Sequence, residues 1–486
     1  MNKLIFLTMA IICLAGFPIN LFGSEVSESI LTLEEYMGQT GETNGTYLGA
    51  IENKEGSIEL KREADLIFSP SFFANVEVEH DEQQPYGLFY DNVESQYYSS
   101  GLTQKTPYGL QTKIYYEFDH TEYSYFNETD KYSDASPVIE LSLPLWKNGF
   151  GRSDRAKEEA TRAQAEANAW SAESQRKTLL VNAEVAYWQL AIAREIVEIQ
   201  KRGLAESQAI YDYVEKRAQM NLTDQSDVLQ AKADLETKKL DLKSAQDDEG
   251  IALRNFNAYR NVTIYDDAVI LSEIDWDKVS NIPVPDKFTS RADVRAAEAQ
   301  ARASEANSRI KEEDNKPSLD LYADYAMNGN STEYSDAFSD SFSMSKPTII
   351  AGIKFSVPLN FSASSDARKG ARRQEYAAKL IYQQKLRDQE SDWRNLVAKL
   401  NDARERLKMT FTIESAQRQK LEFERDRLKR GRTTTYQVLL FEQDYLQAEY
   451  SRAKAAYEIL NLVTQINLYQ DDSPIYKLLG KTGAKP

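Results

Sequence analysis

The sequence is poor in the residues that most catalytic chemistry needs. In 486 residues there is one cysteine, Cys13, and there are two histidines, His80 and His120. A lone cysteine closes no internal disulfide, and two histidines leave few soft metal ligands. No Ser/His/Asp set, Gly-rich phosphate loop or metal-spaced His/Cys cluster is present, so the usual marks of an enzyme are missing and no cofactor is expected. Long apolar runs are missing too. Beyond the N-terminus none reaches the roughly 18 residues that a spanning helix needs. A membrane crossing by this chain therefore has to be made as a barrel. Positive charge is in deficit, with 59 Lys and Arg against 76 Asp and Glu, a net charge of −17. That balance opposes nucleic acid and anionic membrane surfaces as partners. It favours cations in any enclosed space lined by these carboxylates, although a solvated acidic surface has the same count.

What is present reads as folded: 41% hydrophobic, 28% charged and 11% aromatic residues. Lys3 followed by the apolar run Leu4 to Phe17 and the small residues Gly23 and Ser24 predicts a secretory leader over 1–24, which carries Cys13 away with it. A short helical start at Leu31 to Tyr36 and a Gly/Thr/Asn stretch to Gly45 precede a helix over about Tyr47 to Leu66. After Pro70 the period changes. Phe72, Ala74, Val76 and Val78 alternate with Phe73, Asn75, Glu77 and Glu79, which predicts a strand. Further alternating runs fall at Leu110 to Phe118 and Val138 to Leu145, with an extra hairpin over Gln96 to Phe118 turning at Thr106-Pro107-Tyr108-Gly109. The many tyrosines here suit membrane–water interfaces or a soluble sandwich equally.

Proline is then absent from Trp146 to Asn281. Arg152 to Met220 reads as one helix of about 100 Å, too long for a compact core. A break at Met220 to Thr223 leads into a return helix, Asn221 to Tyr259. The irregular stretch 261–289 separates the halves, and the order then repeats. A helix is expected over Ser290 to Glu312, strands at Ser318 to Ala326 and Thr348 to Leu359 around a polar loop (Asn328 to Ser345), and a long helix over Ser365 to Lys429. A break at Arg430 to Thr433 precedes the final return helix.

The two return segments match at a separation of 210 positions. Thr223, Val228, Leu229, Asp234, Ala245, Asn257 and Tyr259 recur as Thr433, Val438, Leu439, Asp444, Ala455, Asn467 and Tyr469. Each carries a heptad seam, broken by Lys238 and Glu249 in the first and by Arg452 in the second. The predicted class is α+β, with two internal repeats, 25–260 and 290–470. Each holds strands (about 70–145 and 317–359) and a long antiparallel helical hairpin (about 150–259 and 365–469). Four to six strands cannot close a water-filled barrel, so in a membrane several chains have to share one.

Over nearly its whole mature length the chain resembles the outer-membrane efflux protein family, the TolC-like channels. The residues that carry the resemblance are RADVRAAEAQARASEANSRI (Arg291 to Ile310), SVPL (Ser356 to Leu359), TDQSDVLQA (Thr223 to Ala231) and GRTTTYQVL (Gly431 to Leu439), in that duplicated order. The resemblance implies a homotrimer with a shared transmembrane β-barrel and a periplasmic α-helical barrel. It implies passive conduction with a periplasmic adaptor (membrane fusion) protein and an inner-membrane transporter as partners, outer-membrane lipid around the barrel, and no nucleic acid. Family barrels commonly take four strands per chain, so six is a variation. The resemblance places an aperture at Asp224 and Asp227, with Gln437 where the second repeat commonly has an acid. The adaptor-contacting tips are Met220, Asn221, Leu222, Thr223, Gly431, Arg432 and Thr433. A plainer role for Asp224 and Asp227 is favourable placement at a helix N-terminus, and for Gly431 a turn that needs positive φ. The competing reading is a secreted, non-conducting coiled-coil scaffold or adhesin.

Overall fold

The computed structural model describes residues 30–82, 92–125, 128–262, 269–272, 283 and 288–470. The expected leader, the tail 471–486 and most of 261–289 lie outside the described residues.

Helix α1 (Leu33–Thr43) runs on through the Gly/Thr stretch where an irregular segment was expected. Local capping explains this. Thr32 and Glu35 form a reciprocal capping box at its start, and Asn44 ends it while its side chain accepts from Thr46 and Tyr47 to open α2 (Gly45–Leu60). Residues Lys61–Ile67, expected within the second helix, tighten into a 3-10 turn.

Six strands form an antiparallel path in the order β2 (Ser71–Asp81), β3 (Asn92–Lys105), β4 (Gln111–Tyr125), β5 (Glu128–Pro144), β7 (Ser318–Met327), β9 (Pro347–Ser356). The expected extra hairpin is present as β3 and β4, turning at Thr106 to Leu110. A separate two-residue pair joins β1 (Ile30–Leu31) to β6 (Ile270–Leu271). Strand β5 begins ten residues before the expected Val138 and passes through Pro137. Its next neighbours are β7 from Val138 onward and the short β8 (Gly329–Ser331) up to Ala135, so Pro137 falls where that ladder is interrupted. A residue without an N–H is tolerated at such a gap.

Because side chains alternate along strands, the register sorts the sheet into two faces. Val76, Tyr98, Phe118 and Ala135 lie in line on one face, and Leu141, Ala323 and Ala351 continue it. This face is apolar and open, with Val76 and Ile349 about 70% exposed. The other face carries Glu77, Tyr97, Glu117, Glu140 and Asp324. There Tyr97 donates to Glu117 (3.1 Å) and Tyr115 to Glu140 (2.7 Å).

The expected polar loop between the last two strands is instead β8 followed by helix α6 (Tyr334–Asp340). It folds because Tyr334 and Phe338, one helical turn apart, both find aromatic partners on the apolar sheet face: Tyr334 on Phe118 and His120, Phe338 on Tyr116.

Two long hairpins extend from the sheet. Helix α3 (Arg152–Gln219) starts at a corner where Asn148 and Phe150 hold left-handed φ values of 55° and 53°. The Asn148 side chain accepts from the Ser153 and Asp154 amides, capping that start. The return helix is α4 (Gln225–Tyr259). Helix α5 (Ala292–Asp314) packs on α3 through the Arg309–Glu159 (2.7 Å) and Arg302–Glu166 (3.1 Å) pairs. The second hairpin is α7 (Phe361–Lys429) and α8 (Thr435–Ile466), with α8 lying against α3. Midway along α3, where the shorter α4 ends, the N-terminal segment packs on the first hairpin, with Tyr36 stacked on Phe256 at 4.3 Å and Tyr187 donating to the Leu31 carbonyl. Each such buried large side chain contributes roughly 1.5–3 kcal/mol. Among the described residues no helix is long and apolar enough to cross a membrane.

Candidate functional site

Both hairpins end in turns of the same construction. In the first, Asn221 has a φ of 59°, the Leu222 amide donates to the Arg217 carbonyl (2.9 Å) and the Arg217 guanidinium donates to the Leu222 carbonyl (3.1 Å). In the second, Gly431 has a φ of 67°, the Arg432 amide donates to the Arg427 carbonyl (2.9 Å) and the Arg427 guanidinium donates to the Arg432 carbonyl (3.3 Å). Asparagine and glycine are the residues that accept this backbone conformation at least cost.

The two turns handle their acids differently. Thr223 donates forward to Asp227 (2.6 Å) in the first turn of α4. Asp224 is the N-cap residue, and its own side chain caps nothing. Thr433 donates backward to Glu424 on the arriving helix, which Arg427 also pairs at 3.1 Å. Gln437 is uncharged; its amide donates to Thr434, the N-cap of α8. The second tip therefore does hold a carboxylate, but Glu424 is buried in the turn. The corresponding place in the first hairpin holds Val214, also buried. Met220 and Leu222 are the exposed apolar residues of the first tip, about 60% exposed or more.

About two turns up from the second tip, the hairpins meet around a group that pattern reading had not singled out. Glu442 of α8 is 1% exposed, and neither carboxylate oxygen has a hydrogen-bond partner among the described residues. Around it stand Glu206 of α3, Asp234 and Lys238 of α4, and Arg425 of α7. Glu206 pairs with Arg425, and Ser207 donates to Asp234 (2.6 Å). Burial first, then the charge of Glu206, pushes the Glu442 carboxyl up to about 8, against the opposing pull of Arg425. Its neutral form is thereby favoured. Beside it lies an open groove of about 320 Å³ between α3 and α7, lined by Ile210, Tyr213, Leu428 and Val438. Glu442 occupies no break in the heptad seam, so only the packing of the second hairpin on the first brings these charges together. By contrast Arg217 and Arg427 obey the same 210-residue offset as the return helices, and extending that comparison four residues upstream finds them.

The seam residues fall inward as expected: Ala231, Leu235, Ala245, Ala252 and Phe256 in α4, and Val438, Ala448, Ile459 and Ile466 in α8 are buried. The break at Arg452 is buried as well, paired with Glu195 of α3 (3.3 Å) and Glu414 of α7 (2.5 Å), so it ties three helices together. Glu249, another break, pairs with Arg194 of α3 at 3.2 Å. Among the described residues no cluster of three or more His, Cys, Asp or Glu is placed to hold a metal.

Comparison with curated protein sequences gives no match. Solved structures do share the fold. The outer-membrane channel OprN is similar at 18% identity and a TM-score of 0.64, with 92% of this chain and 89% of that chain covered. The Campylobacter jejuni outer membrane channel CmeC is similar at 14% identity and a TM-score of 0.63, covering 92% and 88%. The Vibrio cholerae outer membrane protein VceC gives 16%, 0.62, 92% and 95%. The profile of the outer membrane efflux protein family matches residues 104–259 and 288–470, which takes in both hairpins and the sheet from β4 onward. This chain therefore belongs to the outer membrane efflux protein family.

Proposed function

We propose that three copies of this chain form a passive exit duct. A shared β-barrel in the outer membrane continues into a periplasmic barrel of helical hairpins, fed by an adaptor protein and an inner-membrane transporter. The observation that carries this reading is the pair of free sheet edges. Strands β2 and β9 end the path beside a broad apolar face, and among the described residues no further strand pairs with the outer side of either. Lipid tolerates no open edge, and six strands enclose no aqueous lumen. An even number of antiparallel strands leaves β9 running opposite to β2, so β9 of one copy can pair antiparallel with β2 of the next, and rotation closes the ring. Three copies of the six-strand path make a barrel of about eighteen strands, in the range that encloses a water-filled channel. The polar face with Glu77, Glu117 and Glu140 then lines the lumen.

The helices support the same closure. Leu229 and Leu240 on α4, and Leu380, Ile381 and Phe423 on α7, are exposed apolar residues on the two outer helices of the four-helix row. In this reading Asp224, Asp227 and Gln437 lie at the periplasmic aperture, and the tips at Met220 to Thr223 and Gly431 to Thr433 meet the adaptor. The two halves, 25–260 and 290–470, are repeats of one unit. Native mass measurement in mild detergent, with planar-bilayer conductance, tests the assembly. A trimer that conducts supports it; a monomer overturns it, and a trimer without conductance leaves the coiled-coil scaffold.

A further inference from the structure

The apolar face of the sheet is not bare along its whole height. On β4 it runs Ile114, Tyr116, Phe118 and then turns polar at His120 and Glu122. Glu122 pairs with Lys131 of β5 at 2.7 Å, and on β2 the same face ends in His80, hydrogen-bonded to Glu94 at 3.2 Å. This polar row marks one boundary of the apolar band, at the end of the barrel away from the helical hairpins. Helix α6 is seated on the outside of the sheet at that boundary.

Its seat is built from small residues. Gly329 of β8 pairs with Ala135 of β5 on the apolar face, and a Cβ at Gly329 would overlap the Ala337 carbonyl and the Ser341 amide. Ala135 and Ala337 are fully buried there. Rings fix the helix in place: Tyr334 lies 4.4 Å from His120 and 5.6 Å from Phe118, Phe338 5.6 Å and Phe342 6.1 Å from Tyr116. The Tyr116 and Ser341 hydroxyls share a hydrogen bond of 3.0 Å. After these contacts Phe338 and Phe342 are still more than half exposed, and Met344 is 79% exposed. Ser335, Asp336, Ser339 and Asp340 supply a polar side.

We propose that α6 and the residues to Met344 are an interfacial membrane element, presenting Phe338, Phe342 and Met344 to the lipid of the outer leaflet. The exposed aromatic surface of α6 is continuous with the barrel face that lipid covers, which identifies its occupant as bilayer rather than another protein. Strands β4 and β5 lie inside the sheet, away from the β2 and β9 edges where copies join, so α6 stays lipid-facing in the ring. Aromatic side chains with polar neighbours are the composition that settles at the headgroup boundary. The element fixes the depth of the barrel, and the β8 interruption at Asn328 lets the strand end early enough for the chain to fold back onto the outer wall.

This proposal rests on the outer-membrane barrel reading, and the test separates the two. In a Cys13→Ser background, single variants Phe338→Cys and Phe342→Cys are spin-labelled in reconstituted vesicles, with Ile139→Cys on the apolar face and Tyr108→Cys in the β3–β4 turn as references. Collision with oxygen, which concentrates in lipid, is compared with collision with a water-soluble nickel chelate. Labels at 338 and 342 that favour oxygen, as the Ile139 label does, support the proposal. Labels that favour the nickel chelate, as at Tyr108, or that are shielded from both, overturn it while the barrel stands. An Ile139 label that favours the nickel chelate overturns the barrel reading and the proposal together.

Discussion

Arg217 and Arg427, 210 positions apart, each reach forward to bind the backbone carbonyl five residues ahead, Leu222 at 3.1 Å and Arg432 at 3.3 Å. Each clamps a turn whose preceding residue sits in a left-handed conformation. The tips are thereby tied from inside, while Met220 and Leu222 of the first stay exposed.

Removing one clamp should loosen one tip only. Arg217→Ala loses a charged hydrogen bond worth on the order of 1.5–3 kcal/mol locally. Hydrogen exchange at amides 220–224 should then speed up while 430–434 stay protected, and Arg427→Ala should reverse the pattern. Equal loosening of both tips would mean that the turns are not independent.

In the proposed trimer Asp224 and Asp227 lie at the aperture, where three copies of Asp227 in a ring would repel one another. Thr223 donates to the Asp227 carboxylate at 2.6 Å. Asp227→Ala should raise resting conductance and weaken block by divalent cations, and Thr223→Val should move both in the same direction by a smaller amount. Asp247, exposed on α4 and paired with Lys243 at 2.7 Å, serves as the control. If Asp227→Ala in an intact trimer conducts like wild type, the aspartate is only a helix-start residue.

Glu442 gives the helical bundle a pH dependence. The unfolded carboxyl releases its proton near 4.5, whereas the folded one holds it up to about 8. The folded state thus binds more protons in that window, so the stabilisation is complete below 4.5 and is lost as pH rises toward 8. The full loss is on the order of 5 kcal/mol. Glu442→Gln keeps a neutral side chain throughout, so its unfolding temperature should fall less between pH 5 and 8.5 than that of the wild type. Parallel curves would remove Glu442 as the cause.

The extra hairpin is pinned to the start of α3. Arg155 donates to the carbonyls of Pro107 (2.6 Å) and Phe150 (2.8 Å), and Gly109 and Gly151, both at positive φ, pack so closely that a Cβ on either would strike the other loop. Gly151→Val should therefore reduce the yield of heat-resistant trimer, since both the φ and the space are denied to it. Gly370→Val, which meets open space on α7, should leave that yield near wild type, apart from a helix-propensity effect below about 1 kcal/mol.

Periodicity determined much of this protein. The change from a period of 3.6 to a period of two at Pro70, the proline-free runs and the heptad seams located the sheet and both hairpins, because alternation and heptads are local consequences of which side of a strand or helix is buried. The hairpin over β3 and β4 was legible from Pro107 and Gly109, and the tip residues from the offset between Thr223 and Thr433. Tertiary contact decided what pattern could not. The segment after Asn328 is polar enough to read as a loop, and it becomes a helix because Tyr116 and Phe118 on a different strand offer rings to Tyr334 and Phe338. Strand β5 passes through Pro137 because its neighbour is interrupted at that level. The second tip looked uncharged at Gln437, yet Glu424 lies folded beneath it, bound by Thr433 and Arg427. Glu442 has an ordinary place in its own helix. Its altered acidity comes from burial between two hairpins more than two hundred residues apart in the chain, a proximity that local patterning does not encode.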